Sequence, residues 1–465
     1  MKKRVVTMML CGAMAASLLA GCSGGSSETT SGNASGGQTQ AAGGDGAAAG
    51  DSAQAGDSSQ AGGEVTWWTW STEATDAFTQ QIEYAQTNNP NLKVNIQYTA
   101  NNDYWTKLPV AIAGGTGPDI YQMTRPSFEM YAASNQAMDL TDIIAGSEAL
   151  TEYLDTIDPT LKETYQFNGK QMAIPITVEC TAIAYNKDLF DAAGIDLQEI
   201  SQDWTWEDLA EIAQQMTVKD ESGETTQYGF YVAADRIPTW EMIWSRGLEM
   251  FDETGETCTL DQPEIAECLK PLTDMYSAGV SPSIEVVTSV SGDDMFISGK
   301  IAMIAAGIWK VPSYNNITTF NWDVVELPFD SATGGRKSSS NVLGLVINPN
   351  TKNLDGAAAL LEQLVQPDCQ KIFADSHVYI PALESVRSGY FEGDVPDNIV
   401  AFENALSYLH PNTLTQYIPY AQFTTEYTNA LGKAYRGEMT MQDALTEACG
   451  IINGVMEENK AQFAQ

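Results

Sequence analysis

Residues 171–190 read Gln-Met-Ala-Ile-Pro-Ile-Thr-Val-Glu-Cys-Thr-Ala-Ile-Ala-Tyr-Asn-Lys-Asp-Leu-Phe. Ile174, Ile176, Val178, Ala182, Ile183 and Ala184 form a strand-like apolar run, Pro175 fixes one backbone angle and removes a ladder donor, and a lone carboxylate, Glu179, stands inside. We read this run as a crossing between two lobes. Strand alternation could place Glu179 on a wet face, or the strand could pass along a cleft where Glu179 meets a polar ligand. Periodicity leaves both open. Asn168-Gly169-Lys170 predicts a hairpin turn just before the run, and Tyr185 to Phe190 leads into a short helix closed by Ala193-Gly194.

Upstream, Glu64 to Trp70 reads as a strand, a helix follows through Phe78 and Ile82, and Leu92 to Tyr98 alternates as a second strand. Trp105 to Ile112 predicts another helix and Gly117-Pro118-Asp119-Ile120-Tyr121 opens a third strand, so the order is that of a parallel α/β unit. Ligands collect at the carboxyl ends of such strands, which makes Trp70, Ser71, Thr72, Met123 and Arg125 candidate binding residues. Gly114-Gly115-Thr116-Gly117 follows a helix, not a strand, and completes no phosphate-loop pattern; it reads as a tight turn.

Downstream, Thr205-Trp206-Glu207-Asp208 is a capping box, and Leu209, Ile212, Ala213 and Met216 form the buried stripe of its helix. Trp240 and Trp244 share a helix face, which suits a core or a binding site equally. Met295 to Met303 ends a helix at Gly299 and enters a strand that leads to Gly307-Ile308-Trp309. Val324 to Pro328 reads as a return crossing, Leu343 to Ile347 as a strand and Gly356 to Val365 as a helix. The tail from 399 to 463 reads as helices, interrupted at Tyr417-Ile418-Pro419-Tyr420, which brings Tyr420 and Phe423 forward as further candidates.

At 465 residues the chain exceeds what one core supports. Its 23 Lys plus Arg against 61 Asp plus Glu give a formal charge of −38, which argues against nucleic acid as a partner. Met1-Lys2-Lys3-Arg4 and the apolar run Val5 to Ala20 form a signal peptide, residues 1–21, ending in Leu18-Leu19-Ala20-Gly21-Cys22. That ending looks like a lipoprotein box, with Cys22 as the lipidated first residue of the mature chain. From 23 to 63 the 41 residues are nearly all small or polar, a disordered tether of roughly 35 Å root-mean-square span. Of the remaining cysteines, 180, 258, 268, 369 and 449, an odd number, Cys258 and Cys268 could close a short loop; buried free thiols are the other reading.

Catalysis is poorly supplied, since His377 and His410 are the only histidines and no Gly-x-Ser-x-Gly or His-Glu-x-x-His occurs. Two carboxylates acting as a glycoside hydrolase remain the alternative, alongside binding of a non-sugar solute. The turn, crossing strand and Tyr-Asn-Lys-Asp-Leu-Phe run at 168–190 closely resemble the extracellular solute-binding proteins of ABC importers, in the branch containing maltose and other oligosaccharide binders. Gly-Gly-Thr-Gly-Pro-Asp-Ile at 114–120 and the segment Met295 to Trp309 resemble the same family.

The resemblance implies a periplasmic-binding-protein-like type II fold, with two α/β lobes joined by two or three hinge crossings. Lobe one would comprise 64–174 and 325–373, and lobe two 175–324 and 374–465, following the lipidated Cys22 and tether at 22–63. It further implies a non-enzymatic, monomeric receptor that needs no cofactor or metal. Such a receptor takes a sugar, hands it to membrane permease subunits, and is held on the extracytoplasmic face of the membrane by its lipid. Glu179 aligns with a ligand-contacting glutamate of the maltodextrin binders, and Trp309 with a cleft-facing tryptophan. Met123 stands where those proteins carry a stacking tryptophan, a departure that bears on maltodextrin itself. Trp309 could instead plug the end of a sheet.

Overall fold

The structure, a computed structural model, describes residues 63–393 and 396–463. The expected signal peptide, Cys22 and all but the last residue of the tether lie outside the described residues.

Two five-stranded sheets organise the body. In the first, Glu64–Thr69 pairs in parallel with Lys93–Tyr98 on one side and Ile120–Thr124 on the other. Leu343–Ile347 joins antiparallel to Ile120–Thr124, and Ile174–Pro175 closes the edge. The central strand Ile120–Thr124 and its neighbour Leu343–Ile347 are buried at every position, as expected of strands covered by helices on both faces. By contrast, the edge strand Lys93–Tyr98 alternates between exposed and half-buried residues.

The second sheet runs in the order Trp322–Val325, Thr181–Asn186, Ile301–Gly307, Thr225–Tyr231, Val218–Lys219. Along Thr181–Asn186, Ala182 and Ala184 face one core while Ile183 and Tyr185 face the other, the two-residue period of a strand buried on both sides. Asn168 and Gly169 both have positive φ, 50° and 77°, and join Gln166–Phe167 to Lys170–Gln171, so the predicted hairpin forms with the backbone that Asn-Gly favours. Helix Lys187–Ala193 ends at Gly194 with φ 70°, and the capping box of Thr205 and Asp208 has both hydrogen bonds.

The chain passes between the sheets at 176–180 and again at 326–342. These passages are braced rather than free: Thr177–Val178 pairs with Ile380–Pro381, and Ser338–Ser340 pairs with Leu409–Pro411. Two of the expected lobe limits shift. Trp322–Val325 belongs to the second sheet, so the return to the first begins after 325. The limit at 374 falls inside helix Pro367–Ser376, whose Cys369, Phe373 and Ala374 share a core with Phe78 and Tyr379. A helix face cannot leave one core halfway along its length.

All five cysteines among the described residues are free and buried. Cys258 lies beside Cys449, whose thiol donates to the Cys258 carbonyl at 3.0 Å, so the fold sets this pair together in place of Cys258 and Cys268.

Candidate ligand-binding cleft

The carboxyl ends of parallel strands from both sheets converge on one cleft of about 560 Å³. Trp70 follows Glu64–Thr69 and begins the wall on the first sheet's side. It touches Trp105 from helix Asn101–Ala113, ring centroids 5.0 Å apart, and meets Tyr104 edge-on at the same distance. The wall on the second sheet's side is built after Ile301–Gly307 by Trp309 and after Thr225–Tyr231 by Asp235 and Arg236. Tyr379 and Tyr420 complete an aromatic lining of three tryptophans and two tyrosines.

Trp309 owes its pose to Gly307. This glycine has φ −80° and ψ 155°, which any residue can adopt, yet a Cβ there would lie 2.0 Å from the indole ring. Glycine is needed because the ring folds back over it. Arg236 sits near the ring, its guanidinium carbon 5.7 Å from the centroid.

Glu179 is 4% exposed and lies on the crossing at the base of the cleft. Burial pushes its carboxyl up to about 8, against the Arg236 guanidinium and a hydrogen bond with Asn341, which favour the charged form. Arg236 stays charged for the complementary reason. Burial disfavours its charge, but Tyr420, Asp235, Glu241 and Glu179 together hold its pKa above the ordinary value. On the first sheet's side, the Tyr379 hydroxyl donates to Glu73 Oε1 and lies 2.9 Å from Ser71 Oγ, which donates to Gln122 Oε1 at 3.1 Å. Asn341 Oδ1 is buried without a partner.

Five of the ten ligand-site residues expected from sequence line this cleft: Trp70, Thr72, Glu179, Trp309 and Tyr420. The other five lie elsewhere. Ser71 is fully buried one layer behind, in the Gln122 network. Met123 is fully buried within its strand, and its carbonyl accepts from Tyr165 at 2.8 Å. Arg125 pairs with Glu129 at 2.7 Å while its neighbours Thr124 and Pro126 form the lining. Trp240 and Phe423 are wholly buried in the second core, their rings 6.0 Å apart.

Sequence reasoning missed Glu73, Trp105, Asp235, Arg236, Asn341 and Tyr379. Glu73 was within reach, being one residue past the candidate Thr72. Asn341 and Tyr379 had no signal, because only the crossings bring these distant segments to the cleft.

The chain belongs to the bacterial extracellular solute-binding protein family, which it matches over residues 73–399. These are solute-binding proteins and not enzymes. The fold is of the two-lobed periplasmic-binding-protein type. An ABC substrate-binding protein of Listeria monocytogenes, solved with cycloalternan, superposes with a TM-score of 0.77 at 25% identity, covering 85% of this chain and 99% of that one. A binding protein of Brucella abortus is 24% identical over 392 residues, 81% of this chain and 90% of its own. The arabinooligosaccharide-binding protein of Halalkalibacterium halodurans is 24% identical over 257 residues, 53% of this chain and 54% of its own.

Proposed function

We propose that this chain is the extracytoplasmic carbohydrate receptor of an ABC importer, closing two lobes around an oligosaccharide and presenting it to a membrane permease. The observation that carries this reading is the cleft lining, which combines five aromatic residues with carboxyl, amide and hydroxyl groups. Flat apolar rings suit the C–H faces of a sugar, while Glu179, Asn341 and Thr72 suit its hydroxyls. The relatives that bind cycloalternan and arabinooligosaccharide support the same class.

In this reading the lobes are 64–174 with 343–383, and 181–325 with 409–463, moving about the paired crossings. Lipid on Cys22 and the tether after it hold the receptor near its permease. Calorimetry across mannose, arabinose and glucose oligomers tests the function: saturable binding without hydrolysis is expected, and turnover of the bound glycan would refute it. Cys22→Ser should release the protein from membranes, whereas retention would place the anchor elsewhere.

A further inference from the structure

Cys258 and Cys449 stand 191 residues apart in the chain and side by side in the fold. The Cys449 thiol lies 3.0 Å from the Cys258 carbonyl oxygen, and the Cys258 thiol donates to the Cys449 sulfur. Asn453, one turn further along helix Met441–Phe463, engages both: its Oδ1 accepts from the Cys258 N–H at 2.8 Å, and its Nδ2 lies 3.7 Å from the Cys449 sulfur. One amide therefore fixes the backbone of one cysteine and the side chain of the other. Cys180 and Cys268 are also buried, but they direct their thiols at the carbonyls of Phe402 and Ile265.

Cys258 is 3% exposed, yet it ends a short surface turn in which Glu253, Thr254, Glu256 and Thr257 are exposed. The turn is closed by backbone bonds from Asp252 to Thr257 and from Thr259 to Met250. Opening it uncovers Cys258 without unfolding the helix that carries Cys449.

We propose that Cys258 and Cys449 form a reversible disulfide that pins helix Met441–Phe463 to this turn when the chain meets a small-molecule disulfide, RSSR. The uncovered Cys258 thiolate attacks one sulfur of RSSR, and its proton leaves with the displaced sulfur as RSH. The Cys449 thiolate, with Asn453 beside it as a donor, then attacks the Cys258 sulfur; the Sγ–Sγ bond forms and a second RSH departs. The protein loses two protons and two electrons, and RSSR gains them. Closing so long a loop removes conformations from the unfolded chain, and neither cysteine lines the cleft, so the link stabilises the body without touching the ligand.

In the test, the full chain is incubated with oxidised glutathione or with dithiothreitol, its thiols are trapped with iodoacetamide under denaturing conditions, and its peptides are mapped by mass spectrometry. After oxidation the Cys258 and Cys449 peptides should be joined, lighter by two hydrogens than their sum, with Cys180, Cys268 and Cys369 alkylated. Dithiothreitol should return both thiols. The linked protein should melt a few degrees above the reduced protein, an increment that Cys258→Ala should lose. The peptide map and the two melting points use the natural chain, so they decide the matter whether or not the variant folds well. Alkylation of both cysteines after oxidation, a Cys258–Cys268 link, a link between two chains, or a glutathione adduct on Cys258 that goes no further would each overturn the pairing. Equal melting points for the linked and reduced forms would overturn the pinning.

Discussion

Two pairs of similar residues stand in opposite circumstances. Trp309 and Glu179 lie at the cleft, the ring half-exposed and the carboxyl in the lining; Trp240 and Glu241 lie behind it, both fully buried. Trp240 is enclosed by Trp244, Phe423 and Tyr427, with ring centroids 5.6 to 6.4 Å away. Glu241 accepts from Thr181 at 3.1 Å, and its other oxygen has no partner. Residue type is the same in each pair. Only access to the cleft separates a group that can meet a ligand from one that holds the lobe together.

The largest expected effect tests the core half of this comparison. Trp240→Ala should cost about 3 to 5 kcal/mol of folding stability, read by denaturant unfolding, with normal affinity in whatever fraction remains folded. Loss of affinity without loss of stability would break the distinction. Next comes Glu179→Gln, which should weaken ligand binding by about 1.5 to 3 kcal/mol where the wild-type group is ionised, above pH 8. The loss should diminish toward pH 6, where the carboxyl is already neutral. Calorimetry across that range checks it, and unchanged affinity throughout would reduce Glu179 to a buried structural acid.

Trp309→Ala should lower affinity by about 1 to 2 kcal/mol while barely moving the melting point of the ligand-free protein. Gly307→Ala should reproduce part of that loss without removing the ring, since its Cβ displaces the indole. An early-melting Trp309 variant that binds normally would make this tryptophan a second Trp240.

The last expected effect is a slope with pH and not a step. Burial raises Glu179 to about 8 and Glu241 to about 7, from an ordinary 4.5. Between those limits the folded protein holds protons that the unfolded chain releases. The stability they contribute is therefore present at low pH and lost as pH rises from about 4.5 through about 8, at up to about 1.4 kcal/mol per pH unit for each proton. Melting across this range should show a shallower fall in Glu241→Gln up to pH 7, and in Glu179→Gln up to pH 8. Identical slopes in both variants and the wild type would mean the two carboxyls are hydrated in solution.

Local chemistry made much of the fold legible in the sequence. The Asn168-Gly169 hairpin, the Gly194 helix end, the capping box at Thr205 and the strand after Gly299 each depend on a few adjacent residues whose backbone preferences agree with the final fold. Strand ends also pointed to Trp70, Thr72 and Trp309, because parallel α/β units place ligands there whatever their ligand. The side of the sheet on which Trp240 would fall was not legible, since a helix with aromatic residues at 240 and 244 packs equally well toward a core or a cleft. Arg236, Asn341 and Tyr379 were invisible for another reason: they are separated by more than a hundred residues or by whole strands, and only the paired crossings at 177–178 with 380–381 and at 338–340 with 409–411 bring them together. Sequence by itself therefore determined the elements and the family. The tertiary structure decided which carboxyls lose their water and which aromatic faces stay open, because burial is a property of what packs around a residue and not of the residue alone.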